Sequence, residues 1–308
     1  MPAFDFGFFV VNHGLGVTPK LLILLTPSQL FSNTIFGGSE VNQHIVGEGS
    51  MAFGAADGTR QWCGVGATVD GGSNYTAKRL LLTSGCLFQM DPVLGNQIKR
   101  ASLSSWNSSS FTLNFTIASG NPTQMYFLVI GGDDFSARVD TGTVPTSTGN
   151  QDYTGVANGK ALITWNGGGI TSLNSTLSHF GYGVGFSDDS GNSRARALFV
   201  QDSTNTVAWR QSNSFAIEAG NSLGATSYGA LFSAHNPSGA STFRLNWTTV
   251  SASVYQFGYI HLGGAGLKAK VGEQTATSTS QSVNLVDQSP RAVLFSGRGV
   301  SSGGSDGG

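Results

Sequence analysis

Charge is scarce in this chain. Asp, Glu, Lys and Arg make up 11% of its 308 residues, against about 25% in an average globular domain. With 16 Lys and Arg against 17 Asp and Glu, the formal net charge is −1. No global field gathers nucleic acid or an anionic membrane surface, so neither is expected as a partner. Cysteine is as rare, since Cys63 and Cys86 are the only two and a disulfide scaffold needs more. They read as buried free thiols, with a single disulfide as the alternative. Long apolar runs are missing too. Leu21–Leu25 falls far short of the ~20 residues that a membrane helix requires. Met1–Asp5 carries no basic residue and the first Lys is Lys20, so no signal peptide is expected and synthesis is placed in a cytoplasm.

Glycine is abundant, at 44 residues, beside 39% hydrophobic residues, a composition that still supports a folded core. No stretch keeps helical spacing over three turns, whereas short apolar runs bounded by Gly, Ser, Thr and Asn recur. Met125–Ile130, Leu80–Leu82, Ala197–Val200, Val254–Leu262 and Ala292–Phe295 read as strands. In Phe111, Leu113, Phe115 and Ile117 the apolar side chains alternate with Thr and Asn, as on a strand with one buried face.

That alternation returns 132 residues later. Phe111–Ile117 (FTLNFTI) matches Phe243–Thr249 (FRLNWTT) with four identities in seven. At the same offset Gln124 falls on Gln256, Gly131-Gly132 on Gly263-Gly264, and Ala137-Arg138-Val139 on Ala269-Lys270-Val271. Asp57 and Asp188 correspond at an offset of 131. A third strand copy links Lys20, Lys160 and Arg291 in Gly16–Leu25, Gly155–Trp165 and Ser289–Ser296. A period this long is a domain rather than a solenoid unit. The expected fold is all-β: two tandem antiparallel β-sandwiches, jelly-roll-like, from an internal duplication. Residues 1–150 form the first and 151–308 the second, which ends on a terminal strand and a Gly-rich tail. The terminal segments Phe8–Leu25 and Arg291–Gly308 are half-repeats, expected to take part in assembly.

Chemistry is hard to find. His13, His44, His179, His235 and His261 are scattered, and none has a His, Cys or carboxylate at metal-ligand spacing. No nucleophile elbow, phosphate loop or dinucleotide fingerprint occurs, so no catalytic residue, cofactor or metal site is expected. Asp133-Asp134 and Asp188-Asp189 are the only adjacent acids and read as turn caps rather than a glycosidase pair. Arg194, Arg196 and Arg210 read as a solvated face. Among the tryptophans, Trp247 falls on the buried side of its strand, Trp165 takes the place of Ser296 in the third strand copy, and Trp62, Trp106 and Trp209 lie near strand ends or loops. Trp62 and Trp106 are the candidates for an exposed platform that a glycan or a partner could contact.

The hairpin pattern Ala137–Gly142, Tyr153–Val156 and Gly159–Ile163, followed by the openings Pro19-Lys20-Leu21 and Pro290-Arg291-Ala292, resembles a "TGxYTG … PKAVL" pattern of bacteriophage virion proteins. Gly159-Lys160 lacks the proline. The resemblance implies a non-enzymatic structural component of a phage particle, a capsid decoration or tail-surface protein. Its partners would be other virion proteins and symmetry-related copies of itself. The alternative is a host-attachment protein that binds surface glycan, and a polysaccharide depolymerase stands third.

Overall fold

A computed structural model of the chain describes residues 7–26, 49–70, 75–91, 94–118, 125–204, 206–221, 226–273 and 294. Strands run through nearly all of them. In the first half lie β1 (Gly7–Asn12), β2 (Pro19–Thr26), β3 (Gly49–Ala56), β4 (Gln61–Asp70), β5 (Tyr75–Leu82), β6 (Leu87–Met90), β7 (Gln97–Trp106), β8 (Ser110–Ala118) and β9 (Tyr126–Gly131). The second half holds β10 (Ser136–Val144), β11 (Gly149–Thr154), β12 (Gly159–Ile170), β13 (Leu177–Ser178), β14 (Phe180–Asp188) and β15 (Ser193–Val200). It continues with β16 (Val207–Ser212), β17 (Phe215–Gly220), β18 (Thr226–His235), β19 (Thr242–Thr249) and β20 (Tyr255–Gly263). The one helical element among the described residues is a 3₁₀ turn at Pro237–Gly239.

Each half contributes a four-stranded outer sheet and a six-stranded inner sheet. The outer sheets run β1-β8-β7-β6 and β11-β19-β18-β17. The inner sheets run β13-β5-β4-β3-β2-β9 and β10-β20-β12-β14-β15-β16. All pairings are antiparallel. The two outer sheets share one strand order. The inner sheets also correspond, with β9-β2-β3-β4-β5 in the positions of β20-β12-β14-β15-β16. Only the flanking strands β13 and β10 lack counterparts. Sheet membership changes between Gly131 and Ser136, ahead of residue 150, because β10 and β11 belong to the sheets of the second half.

The layers stack outer, inner, inner, outer, and the alternation within single strands shows why. In β2, Leu22 and Leu24 pack toward the first outer sheet with Phe111, Leu113 and Phe115 of β8. Leu21 and Ile23 point the other way, into a core shared by the two inner sheets. A strand buried on both faces reads as a continuous apolar run, which is what PKLLILLT is. In β20, Phe257 and Tyr259 face the second outer sheet, and Ile260 and Leu262 face the shared core.

Glycine makes the inner contact close. Trp62 of β4 lies over Gly258 of β20, where a Cβ would come within 2.7 Å of its ring. Trp165 of β12 lies over Gly64 of β4, where a Cβ would come within 2.3 Å. The two indoles are 6.3 Å apart, and Trp62 Nε1 donates to the Tyr259 carbonyl across the sheets at 3.1 Å. Arg79 adds hydrogen bonds to the Gly167 and Gly168 carbonyls. The halves are therefore one packed body.

Candidate interaction surface

The structure moves the tryptophan reading. Trp62 has 0% exposure, so it is a core residue and no surface for glycan. Its place was misread because a strand buried on both faces shows no alternation. Trp106 is partly buried, with its ring against the turn at Gly58, where a Cβ would stand 2.7 Å away. Trp209, which the sequence left near a strand end, is 47% exposed.

Trp209 belongs to β16, the edge strand of the second inner sheet. With Arg210, Gln211, Phe215, Glu218 and Glu273 it lines an open groove of about 530 Å³. Glu218, on β17, is fully buried; its Oε1 accepts from Arg210 Nε at 2.6 Å and from Thr226 Oγ1 at 3.1 Å. Glu273 accepts from Gln211 Nε2 at 2.9 Å and pairs with Arg194 at 3.3 Å. Two of the three arginines thus fix acids around the groove instead of forming a free basic face. The result is a flat aromatic ring beside amide and carboxylate groups already held in place. Such a wall can stack on a sugar face and hydrogen-bond its hydroxyls. Neither Glu218 nor Glu273 was legible as part of a site, because the three contributing segments meet only in the fold.

A second exposed surface is apolar. Among the described residues β1 is the edge of the first outer sheet and pairs with β8 alone. Its Phe8 is 71% exposed and Val10 58%, and Leu15 and Val17 stand out from the following loop. The corresponding strand β11 carries Asn150, Gln151 and Asp152, and Asp152 is held by a two-point ion pair with Arg244.

Asp57 and Asp188 act as turn caps, with an addition, while Asp189 pairs with Lys160 at 2.9 Å. Asp57 Oδ1 accepts from the Thr59 and Arg60 amides, and Asp188 Oδ1 from the Ser190 and Asn192 amides. Gly58 and Gly191 sit at φ 88° and 83° in these turns, a conformation that disfavours other residues. Each Asp also reaches a distant strand through Oδ2: Asp57 holds the Val139 amide and Asp188 the Val271 amide, both at 2.9 Å. Asp133 and Asp134 form a turn whose carbonyl at 133 accepts from Lys20.

Two of the scattered histidines meet. His235 Nδ1 and His261 Nε2 are 2.8 Å apart. His261 Nδ1 accepts the Val156 amide at 3.0 Å, which leaves the His261 proton on Nε2 for His235 Nδ1 to accept. Burial, and then the neighbouring His235, push His261 down to about 3; burial pushes His235 down to about 4. Gly155 and Gly159 leave room for the His261 ring, since a Cβ on either would come within 2.5 Å of a ring nitrogen. His44 lies outside the described residues. Among the described residues no group of three His, Cys, Asp or Glu is placed to hold a metal ion. No helix of the described residues is long and apolar enough to cross a membrane. Cys63 and Cys86 are buried free thiols, and burial pushes Cys86 up to about 12, away from thiolate chemistry.

The chain matches no protein-family model, no curated protein and no solved structure.

Proposed function

We propose that this chain is a non-enzymatic structural subunit that assembles with copies of itself along the β1 edge, with a phage particle as its setting. The observation that carries the reading is an edge strand with large apolar side chains in solvent, paired on one side only among the described residues. Such an edge is a template for strand addition, and monomers commonly blunt theirs with charge. The counterpart β11 is blunted in that way by Asp152 and Arg244. Low charge suits burial of this surface, since few ions would need desolvating. The particle itself is drawn from the resemblance of the Tyr153–Ile163 and Pro19–Leu21 segments to virion proteins. Sedimentation velocity tests the assembly: the wild-type chain should associate as concentration rises, and Phe8→Asp with Val10→Asp should sediment as a monomer. A wild type that stays monomeric at millimolar concentration would refute it.

The Trp209 groove favours glycan recognition as the second reading. Calorimetric titration with host-surface polysaccharide should show binding that Trp209→Ala abolishes. Heat that is unchanged in the variant would exclude this groove.

A further inference from the structure

β9 and β20 hold the same place in their sheets but have different neighbours. β2 pairs Pro19 with Gly131 and Leu21 with Ile130, as β12 pairs Gly159 with Gly263 and Ala161 with Leu262. The far side of β20 is covered by β10, and from Phe257 to Gly263 the strand is buried throughout. The far side of β9 has no strand among the described residues, and Phe127 through Gly131 are at most partly buried despite the sequence FLVIG. The strand that covers β20 comes directly after β9 in the chain, beyond a four-residue turn, Gly132–Phe135. Beyond β20 the chain passes through Gly264–Leu267 into Lys268–Glu273, with Ala269-Lys270-Val271 in the places of Ala137-Arg138-Val139.

We propose that residues 268–273 close onto the open edge of β9 as an antiparallel strand, so that each half of the molecule lends its last strand to the inner sheet of the other. In the structure this segment is irregular, but it already stands where the exchange requires. The Val271 amide is bound by Asp188 as the Val139 amide of β10 is bound by Asp57. Arg194 reaches Glu273 as Arg60 reaches Asp140. Ala269 and Ala137 pack on the same shared core, beside Leu128 and Ile130 of β9. From Leu267 to Gly272 the residues alternate strictly between partly buried and exposed, the period of a strand with one covered face.

The register is set by β10. Ala137 pairs with Leu262, Arg138 with His261 and Val139 with Ile260. Ala269 therefore meets Ile130, Lys270 meets Val129 and Val271 meets Leu128. Because the Val139 amide points away from β20 to Asp57, Val139–Ile260 is a non-hydrogen-bonded pair and Arg138–His261 a hydrogen-bonded one. Lys270 and Val129 inherit the hydrogen-bonded position, with Cα atoms about 5.5 Å apart. That distance suits a disulfide.

The full chain carrying Val129→Cys and Lys270→Cys should close a bond within one molecule under mild oxidation. It should run as a monomer without reductant and keep two of its four thiols, those of Cys63 and Cys86. Val129→Cys with Ala269→Cys puts the sulfurs on opposite faces and should stay reduced. Absence of the first bond, or a bond that forms only between molecules, would overturn the exchange. A second measurement needs no cysteine: the Val129 amide, which would donate to the Lys270 carbonyl, should exchange slowly in the wild type and about 100-fold faster in Lys270→Pro, where the missing 270 N–H leaves the Val129 carbonyl unpaired and undocks the partner strand. Fast exchange in the wild type would also overturn it. The strand exchange stands or falls independently of assembly along β1.

Discussion

The two halves lay their strands in one order and fill them differently. In the first, Phe111, Leu113 and Phe115 of β8 pack in an apolar core with Leu22 and Leu24. In the second, Phe243, Leu245 and Trp247 hold the same places, but polar groups are threaded through. Trp247 Nε1 donates to Tyr153 Oη at 3.0 Å, which donates to the Thr143 carbonyl at 2.7 Å. Tyr259 Oη donates to the Thr154 carbonyl. His261 takes the place of Val129, and His235 that of Trp106, since each pairs with the leading Phe of the neighbouring strand. The comparison teaches that strand order is set by which positions are buried, while the chemistry of the buried groups can change where the added polar atoms find partners, as those of Trp247, Tyr153 and Tyr259 do.

The sharpest way to test the comparison is to remove the matched rings. Phe115→Ala should lower stability by about 3 kcal/mol, toward the bottom of the range for buried aromatics. Trp247→Ala should cost about 5 kcal/mol, because it opens a larger cavity and also strips Tyr153 of a donor. Urea unfolding of both variants measures the difference. A cost near zero for either ring would place it outside a packed core, and a Phe115 variant that loses more than the Trp247 variant would invert the ranking.

Acid should separate the halves next. A histidine whose folded value lies below its unfolded value binds its proton more readily in the unfolded chain, so its contribution is complete above the unfolded value, near 6.5. With His261 at about 3 and His235 at about 4, stability should fall steadily as pH drops from 6.5 toward 4. Protonating His261 sets two donors, its own Nδ1–H and the Val156 amide, against each other. His261→Val copies the first half and should flatten that slope, read from melting temperature against pH. An equal slope in the variant would assign the acid sensitivity elsewhere.

Smaller effects should come from the paired aspartates. Asp57→Ala and Asp188→Ala each strand two turn amides and one cross-strand amide, and each should cost about 1 to 3 kcal/mol. The two losses should be of similar size, because each carboxylate takes two turn amides and one cross-strand amide, with Thr59 Oγ1 adding a bond at Asp57 and Asn192 Nδ2 adding bonds at Asp188. Divergence by several kcal/mol would mean that the turns do different work.

Much of this frame was legible in advance. The alternation in FTLNFTI showed its buried face, and the offset between Phe111 and Phe243 led to positions with one environment. The paired Asp57 and Asp188 could be read as caps, because a hairpin turn is local in sequence. Their grip on Val139 and Val271 could not, since it joins residues about 80 apart. Trp62 misled because strands between two sheets lose their alternation. His261 left one trace, a polar residue aligned with Val129 in an otherwise apolar strand. The Trp209 groove left none, because only the packing of β17 of the outer sheet and the segment at Glu273 against β15 and β16 of the inner sheet brings its walls together.

Trp209 supplies the smallest expected stability change and a direct contrast with the other indoles. Trp62, Trp165 and Trp247 are fully buried, so truncating any of them removes core volume. Trp209 stands at a sheet edge with nearly half its surface in solvent, and neither inner core counts it as a member. Surface positions of this kind usually change stability by no more than about 0.5 kcal/mol. Trp209→Ala should therefore unfold within that margin of the wild type in urea. Arg210 and Glu218 hold each other directly through Nε and Oε1, so the groove's polar wall should survive the substitution. A loss of several kcal/mol would show that the ring supports the edge of the sheet. In that event a binding defect in the same variant could no longer be assigned to contact with a ligand.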